Sequence, residues 1–204
     1  MGEEVRIMTN IELVLNMAEK NNGMVTSSEI TANGIPRRVV TDMVNRQLLI
    51  KTARGLYQLP TAWEDEWLIA QYRYSKGIYS HETALFLHGY SDRTPASFNM
   101  TFPRGYHIKK NWDIPILERY AVKEIYQLGI ITMESPAGHK IKVYDLEKSL
   151  CDVVRGNETF DIEIVNNAMK RYAKDKNRNL RRLMEYAKLL KVEKKIRNYM
   201  EVLL

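Results

Sequence analysis

The chain has 204 residues, 45% of them hydrophobic and 27% charged, which is the composition of a folded globular protein and excludes a disordered or fibrous one. Lys and Arg total 31 against 25 Asp and Glu, a net charge of +6 that admits an acidic partner. The longest apolar runs, Trp67-Leu68-Ile69-Ala70 and Ala84-Leu85-Phe86-Leu87, fall far short of the roughly 20 residues needed to span a bilayer, so no membrane partner is expected.

In chain order, Met1-Gly2-Glu3-Glu4 lacks the basic and apolar regions of a signal peptide, and a cytoplasmic location is expected. Thr9-Asn10-Ile11-Glu12 then has capping-box spacing, in which a hydroxyl and a carboxylate each satisfy a free backbone N–H. Ile11, Val14, Leu15 and Ala18 follow at helical spacing, and Asn22-Gly23 ends the helix. A second capping box, Thr26-Ser27-Ser28-Glu29, opens a very short helix that stops at Asn33-Gly34, where glycine takes a left-handed backbone. Pro36 is expected as the first residue of a third helix, running to about Arg46 or Gln47, because the N–H it lacks would be unpaired there.

At about 100° per residue, Val39, Val40, Met43, Val44 and Gln47 share one arc of this third helix. Arg37, Arg38, Thr41, Asp42, Asn45 and Arg46 share the other. Residues 49–53 and 56–59 then read as two short strands joined at Arg54-Gly55. Helix, short helix, glycine turn, polar-faced helix and hairpin is the order of a winged helix-turn-helix. Residues 1–62 are therefore predicted as a DNA-binding domain, with Pro60 near its end, and 63–204 as a second domain.

A major groove about 12 Å wide admits one helix, whose N-terminal side chains reach base edges. Arg37, Arg38, Thr41, Asn45 and Arg46 are the predicted readers on that helix, and Asp42 is placed to pair with both Arg38 and Arg46. Ser27 and Ser28 suit phosphate, with free N–H groups beside them, and Lys51 and Arg54 belong to the wing. The competing reading is a solvated helix face with a wing used for protein contact; residues 1–60 carry a net charge of only +1.

Residues 63–75 read as a linking helix, with Glu64-Asp65-Glu66 on its polar face. Ser80 is expected to cap a buried helix ending at Gly89. His81 and His88 lie seven apart rather than at the HExxH spacing, so no metal site is predicted. Residues 98–102, 117–122, 129–134 and 140–144 have strand character and predict a mixed sheet. Asp145 then caps a helix, and helical segments follow at 160–174, 179–190 and 192 to the end. The predicted fold class is α+β, a winged helix-turn-helix followed by a mixed α/β domain that ends in a helical layer.

Cys151 is the lone cysteine, which rules out an internal disulfide, and apolar neighbours at helical spacing mark it as a buried, inert thiol. Residues 170–197 hold twelve basic groups against three acids. Lys170, Arg171, Lys174, Arg178, Arg181, Arg182 and Lys188 are a candidate second basic surface, to be read either as phosphate-binding or as a solvated helix layer. There is no GxxxxGK loop, GxGxxG or GxSxG elbow, and no glycine precedes serine or lysine. No catalytic residue and no cofactor is predicted.

Four segments carry a resemblance: Gly34-Ile35-Pro36-Arg37, Arg54-Gly55-Leu56-Tyr57, Tyr79-Ser80-His81-Glu82-Thr83-Ala84-Leu85 and Val143-Tyr144-Asp145-Leu146-Glu147-Lys148. With them the chain resembles, over nearly its whole length, the AbiEi family of antitoxins from abortive-infection systems against phage. The middle motif is the most specific; Tyr90 follows His88-Gly89 where the family more often has leucine. The resemblance implies a transcriptional autorepressor that binds inverted repeats in its own promoter. It also implies a C-terminal domain that counters a cognate nucleotidyltransferase toxin without a stable complex, a type IV toxin-antitoxin system. Two other readings stay open: an interaction protein that directly sequesters a toxin, and a nucleic-acid-processing enzyme.

Overall fold

A computed structural model describes residues 8–108, 115–155 and 160–204 and shows an α+β fold in two compact units, Met1–Ser75 with Glu134–Ile141, and Lys76–Met133 with Lys142–Leu204. The first unit extends past the predicted boundary at residue 62, because helix α4 (Glu66–Arg73, below) hydrogen-bonds to the hairpin that precedes it.

The first unit begins with α1 (Asn10–Lys20) and the short α2 (Ser27–Ala32). Both carry complete capping boxes: Glu12 N–H donates to Thr9 Oγ1 at 3.3 Å and Glu29 N–H to Thr26 Oγ1 at 3.1 Å, while each glutamate accepts in return from its threonine N–H at 2.8 Å. Helix α3 (Arg37–Asn45) starts one residue later than expected, since Pro36 has an extended ψ of 140° and serves as the cap. Strand β1 (Met24–Thr26) was not expected, being only three residues between two capping boxes. It pairs antiparallel with β3 (Leu56–Gln58), which also pairs with β2 (Ile50–Ala53), giving the sheet order β1-β3-β2. Val14, Ala18, Ile30, Val40, Met43 and Leu49 close the core under these elements, the larger of these side chains each stabilising by about 1.5–3 kcal/mol when fully buried.

Helix α4 is shorter than the predicted 63–75. Asp65 is its cap, accepting from Trp67 N–H at 3.0 Å and Leu68 N–H at 3.1 Å, and it is 1% exposed rather than on a polar helix face. Trp63 stays outside the helix and is 91% exposed.

The second unit is built on a mixed five-stranded sheet ordered β6-β5-β4-β8-β7, comprising β4 (Ile78–Tyr79), β5 (Phe98–Pro103), β6 (Ile116–Ala121), β7 (Ile130–Glu134) and β8 (Lys140–Tyr144). The two-residue β4 escaped the sequence reading, yet it is the central strand, antiparallel to β5 and parallel to β8. Helix α5 (His81–Leu87) follows it, and the expected Ser80 cap bond is missing: Ser80 Oγ instead meets His81 Nδ1 and accepts from Thr101 Oγ1, both at 2.9 Å. After the short α6 (Lys123–Tyr126), α7 (Leu146–Val154) is capped as expected by Asp145, which accepts from Lys148 N–H at 2.9 Å. Every residue of α7 from Glu147 onward is buried, against α8 (Ile162–Lys174), α9 (Leu180–Leu189) and α10 (Glu193–Leu203).

Cys151 is fully buried, and burial pushes its thiol up to about 12, which disfavours the reactive thiolate. Native protein is therefore expected to resist a thiol-reactive chromogenic reagent, with one thiol appearing only in denaturant; rapid labelling of the native chain would contradict this. No group of three or more His, Cys, Asp or Glu able to hold a metal occurs among the described residues, and His88 Nε2 donates instead to the Tyr144 carbonyl at 2.8 Å.

Candidate nucleic-acid interface

The polar arc of α3, the start of α2 and the β2–β3 hairpin enclose a groove of about 440 Å³. Ser27, Ser28, Arg37, Thr41, Lys51 and Arg54 line it, bringing together six residues spread over two helices and a strand turn. Three of the lining residues are cations and none is acidic. The low net charge of residues 1–60 conceals this, because none of the acids among their described residues lines the groove. Glu12 and Glu29 are held in capping boxes, and Asp42 pairs with Arg46 at 3.3 Å.

Arg38, Asn45 and Arg46 do not line the groove; they stand exposed on the adjacent face of α3. The expected double role of Asp42 is halved. Arg46 takes its carboxylate, and Arg38 carries no ion pair among the described residues. A guanidinium in that state gives up no existing partner on binding an anion or a base edge.

The turn of the hairpin is held in place by hydrogen bonds. The Gly55 carbonyl accepts from Ser27 N–H at 2.8 Å and from the Tyr72 hydroxyl at 3.2 Å, tying Arg54 beside the N-terminus of α2. Arg73 fastens the neighbouring strand by donating to the Thr52 carbonyl at 2.9 Å. Sequence reasoning missed Tyr72 because it lies 17 residues from the glycine it holds and reads as ordinary helix packing. Gly55 has φ of +81°, where a side chain is strained, and a Cβ there would sit 3.2 Å from Ser27 Oγ. Gly55→Val is expected to cost about 1–3 kcal/mol by thermal unfolding, since it combines a left-handed backbone with crowding. A variant as stable as the parent would show that the turn tolerates another conformation.

A second polar cluster lies in the same unit and was invisible in sequence. His139 Nδ1 donates to Asp65 Oδ2 at 2.7 Å, Ser135 Oγ donates to the same oxygen at 2.5 Å, and His139 Nε2 meets the Asn21 carbonyl at 3.1 Å. A carbonyl only accepts, so both ring nitrogens carry protons and the ring is an imidazolium. The residue types suggest a hydrolytic triad, but Ser135 donates to the carboxylate and not to the imidazole, so the serine–histidine hydrogen bond of such a triad is not formed. The Asp65 hydrogen bond raises the His139 pKa above the ordinary histidine value. Burial pushes the Asp65 carboxyl up, and the hydrogen bonds from His139, Ser135 and Leu68 N–H outweigh it, leaving the group below the usual aspartate value.

The candidate second basic surface is largely engaged in structure. Arg171 donates to the Gly89 carbonyl at 2.8 Å and pairs with Asp92, Arg178 donates to the Asp175 carbonyl at 2.9 Å, and Arg181 pairs with Glu185 at 2.9 Å. Arg182 lies 3.9 Å from Asp145. Lys170, Lys174 and Lys188 are exposed, and Lys170, Arg171 and Lys188 line three different clefts rather than one.

No protein-family model and no curated protein sequence matches the chain. Among solved structures its fold is similar to that of the RV2827C protein from Mycobacterium tuberculosis, with a TM-score of 0.56 and 14% identity, covering 97% of this chain and 82% of that one. No helix among the described residues is long and apolar enough to cross a membrane.

Proposed function

We propose that the first unit is a winged helix-turn-helix and that the protein is a DNA-binding autorepressor and antitoxin of the AbiEi type, with no enzymatic activity of its own. The observation that carries the reading is the acid-free groove, where Arg37, Lys51 and Arg54 converge with the α2 N-terminus. In this reading the groove takes the phosphate backbone while Arg38 and Asn45, on the adjoining face of α3, face the bases. Inverted repeats in the chain's own promoter are the DNA partner.

The antitoxin half rests on the resemblance alone. Two of the segments that carry it are neighbours in the second unit: Tyr79 of β4 pairs with Val143 of β8, and the helices that follow, α5 and α7, contact each other. Co-expression with a cognate nucleotidyltransferase toxin is expected to restore growth without co-purification of the two proteins. Loss of protection in a chain that still binds its promoter would overturn the antitoxin role and leave the repressor role standing. A second reading, direct sequestration of a toxin, is favoured by an apolar cleft of about 750 Å³ lined by Val153, Phe160, Ile162 and Val202, and it requires that the two proteins co-purify.

A further inference from the structure

Helices α9 and α10 carry a surface that DNA binding by the first unit does not use. Only Leu190, Lys191 and Val192 join them; Lys191 takes a left-handed backbone at φ +60°, and Val192 N–H donates to the Ala187 carbonyl at 2.8 Å. So short a link folds the two helices into an antiparallel hairpin. Leu183, Ala187, Leu190, Ile196 and Met200 turn into the core of the second unit. Beside them the two helices leave a groove of about 430 Å³. Its apolar residues are Leu180 and Met184 from α9 with Met200 and Leu204 from α10, and Leu204 is 62% exposed. An apolar seam between two antiparallel helices is the surface on which a second helix pair completes a four-helix bundle.

The charges around the groove identify its occupant. Two cations and two acids line it, so it has no net charge and offers nothing to a polyanion. Glu193 and Arg197 already pair with each other, one turn apart at 2.8 Å. Lys188 and Glu201 are exposed, and neither forms an ion pair among the described residues. The hairpin explains why. Lys188 is one residue from the end of α9 at the connecting turn, and Glu201 is two residues from the end of α10 at the open end, so the two stand at opposite ends of the groove. A two-fold axis across the middle of the groove exchanges its ends and brings Lys188 of each copy to Glu201 of the other. An ion pair that cannot form within one chain then forms twice between two.

We propose that the α9–α10 groove docks a second copy of this chain. Two hairpins close into a four-helix bundle, with Leu180, Met184, Met200 and Leu204 in its seam and a Lys188–Glu201 pair at each end. The unbranched methionines adapt their shape to the facing copy. Lys188, singled out in sequence as part of a basic surface, thereby serves pairing between copies and not phosphate binding.

Sedimentation equilibrium of the purified full chain, in the absence of DNA, tests the proposal. A reversible monomer–dimer equilibrium with a Kd below about 1 mM is expected. Lys188→Glu and Glu201→Lys each set like charges against one another twice, and each is expected to weaken the dimer about tenfold or more. The double variant carrying both changes restores opposite charges and should return to within about threefold of the parent. Lys188→Gln and Glu201→Gln, milder changes at the same exposed side chains, should each weaken the dimer about threefold with no change in the unfolding temperature of the monomer. A chain that stays monomeric throughout a concentration series, a dimer indifferent to the single reversals and to the glutamine variants, or a double variant no tighter than the single reversals would each overturn the proposal. None of these outcomes bears on DNA recognition by the first unit.

Discussion

Replacing Arg37 and Arg38 together by alanine is expected to weaken binding to promoter DNA by about 100-fold or more, because a contact to a base edge or phosphate is worth roughly 1–3 kcal/mol. The fold should survive, since both side chains are exposed and α3 is anchored by Val40 and Met43 on its opposite face. The single changes should separate. Arg37, Lys51 and Arg54 line the groove, and each alanine replacement there should reduce the slope of log affinity against log salt by about 0.9 and weaken all sequences alike. Arg38 stands outside the groove, and Arg38→Ala should relax the preference for the promoter over unrelated DNA with less change in slope. Fluorescence anisotropy across a salt series measures both quantities. Undiminished promoter binding by the double variant would sink the assignment of α3 as the recognition helix.

The largest stability effect is expected at Asp65, where one carboxylate caps α4 and holds both His139 and Ser135. Asp65→Ala leaves a buried imidazolium without its anion and an uncapped helix, and should cost about 3–5 kcal/mol by denaturant unfolding. Asp65→Asn keeps a cap oxygen and should fall between the alanine variant and the parent. The pH dependence has a definite sign. The His139 pKa is raised on folding, so its contribution is complete below roughly pH 6.5 and is lost as pH rises through the folded value. The Asp65 pKa is lowered, so its contribution is complete above roughly pH 4 and is lost as pH falls through the folded value. Stability of the parent should therefore decline on both sides of a plateau, and His139→Gln should remove the alkaline limb. A variant that retains that limb would show that another group causes it.

Local chemistry explains which parts of this molecule could be read from its residues. The capping boxes at Thr9 and Thr26 and the turn at Asn33-Gly34 act within a few residues, and all three formed as their spacing dictates. The same holds for α8, α9 and α10, whose 3.6-residue periodicity repeats over several turns, and for the burial of Cys151 among apolar neighbours. Strands β1 and β4 were missed because two or three residues hold no period, and pairing to distant partners makes them strands.

Charge was the least legible property. Counting residues put a surplus in the C-terminal helices and almost none in the first sixty residues, yet electrostatics depends on which charges share a surface and which already have partners. Folding pairs Arg171, Arg181 and Arg182 with acids, ties Glu12, Glu29 and Asp42 to neighbours, and gathers Arg37, Lys51 and Arg54 into one groove free of carboxylates. Composition, caps and periodicity were set along the chain; the Asp65–His139 contact across 74 positions, the anchoring of Gly55 by Tyr72 and the grouping of the cations arose only when chain closure brought distant side chains within a few ångströms.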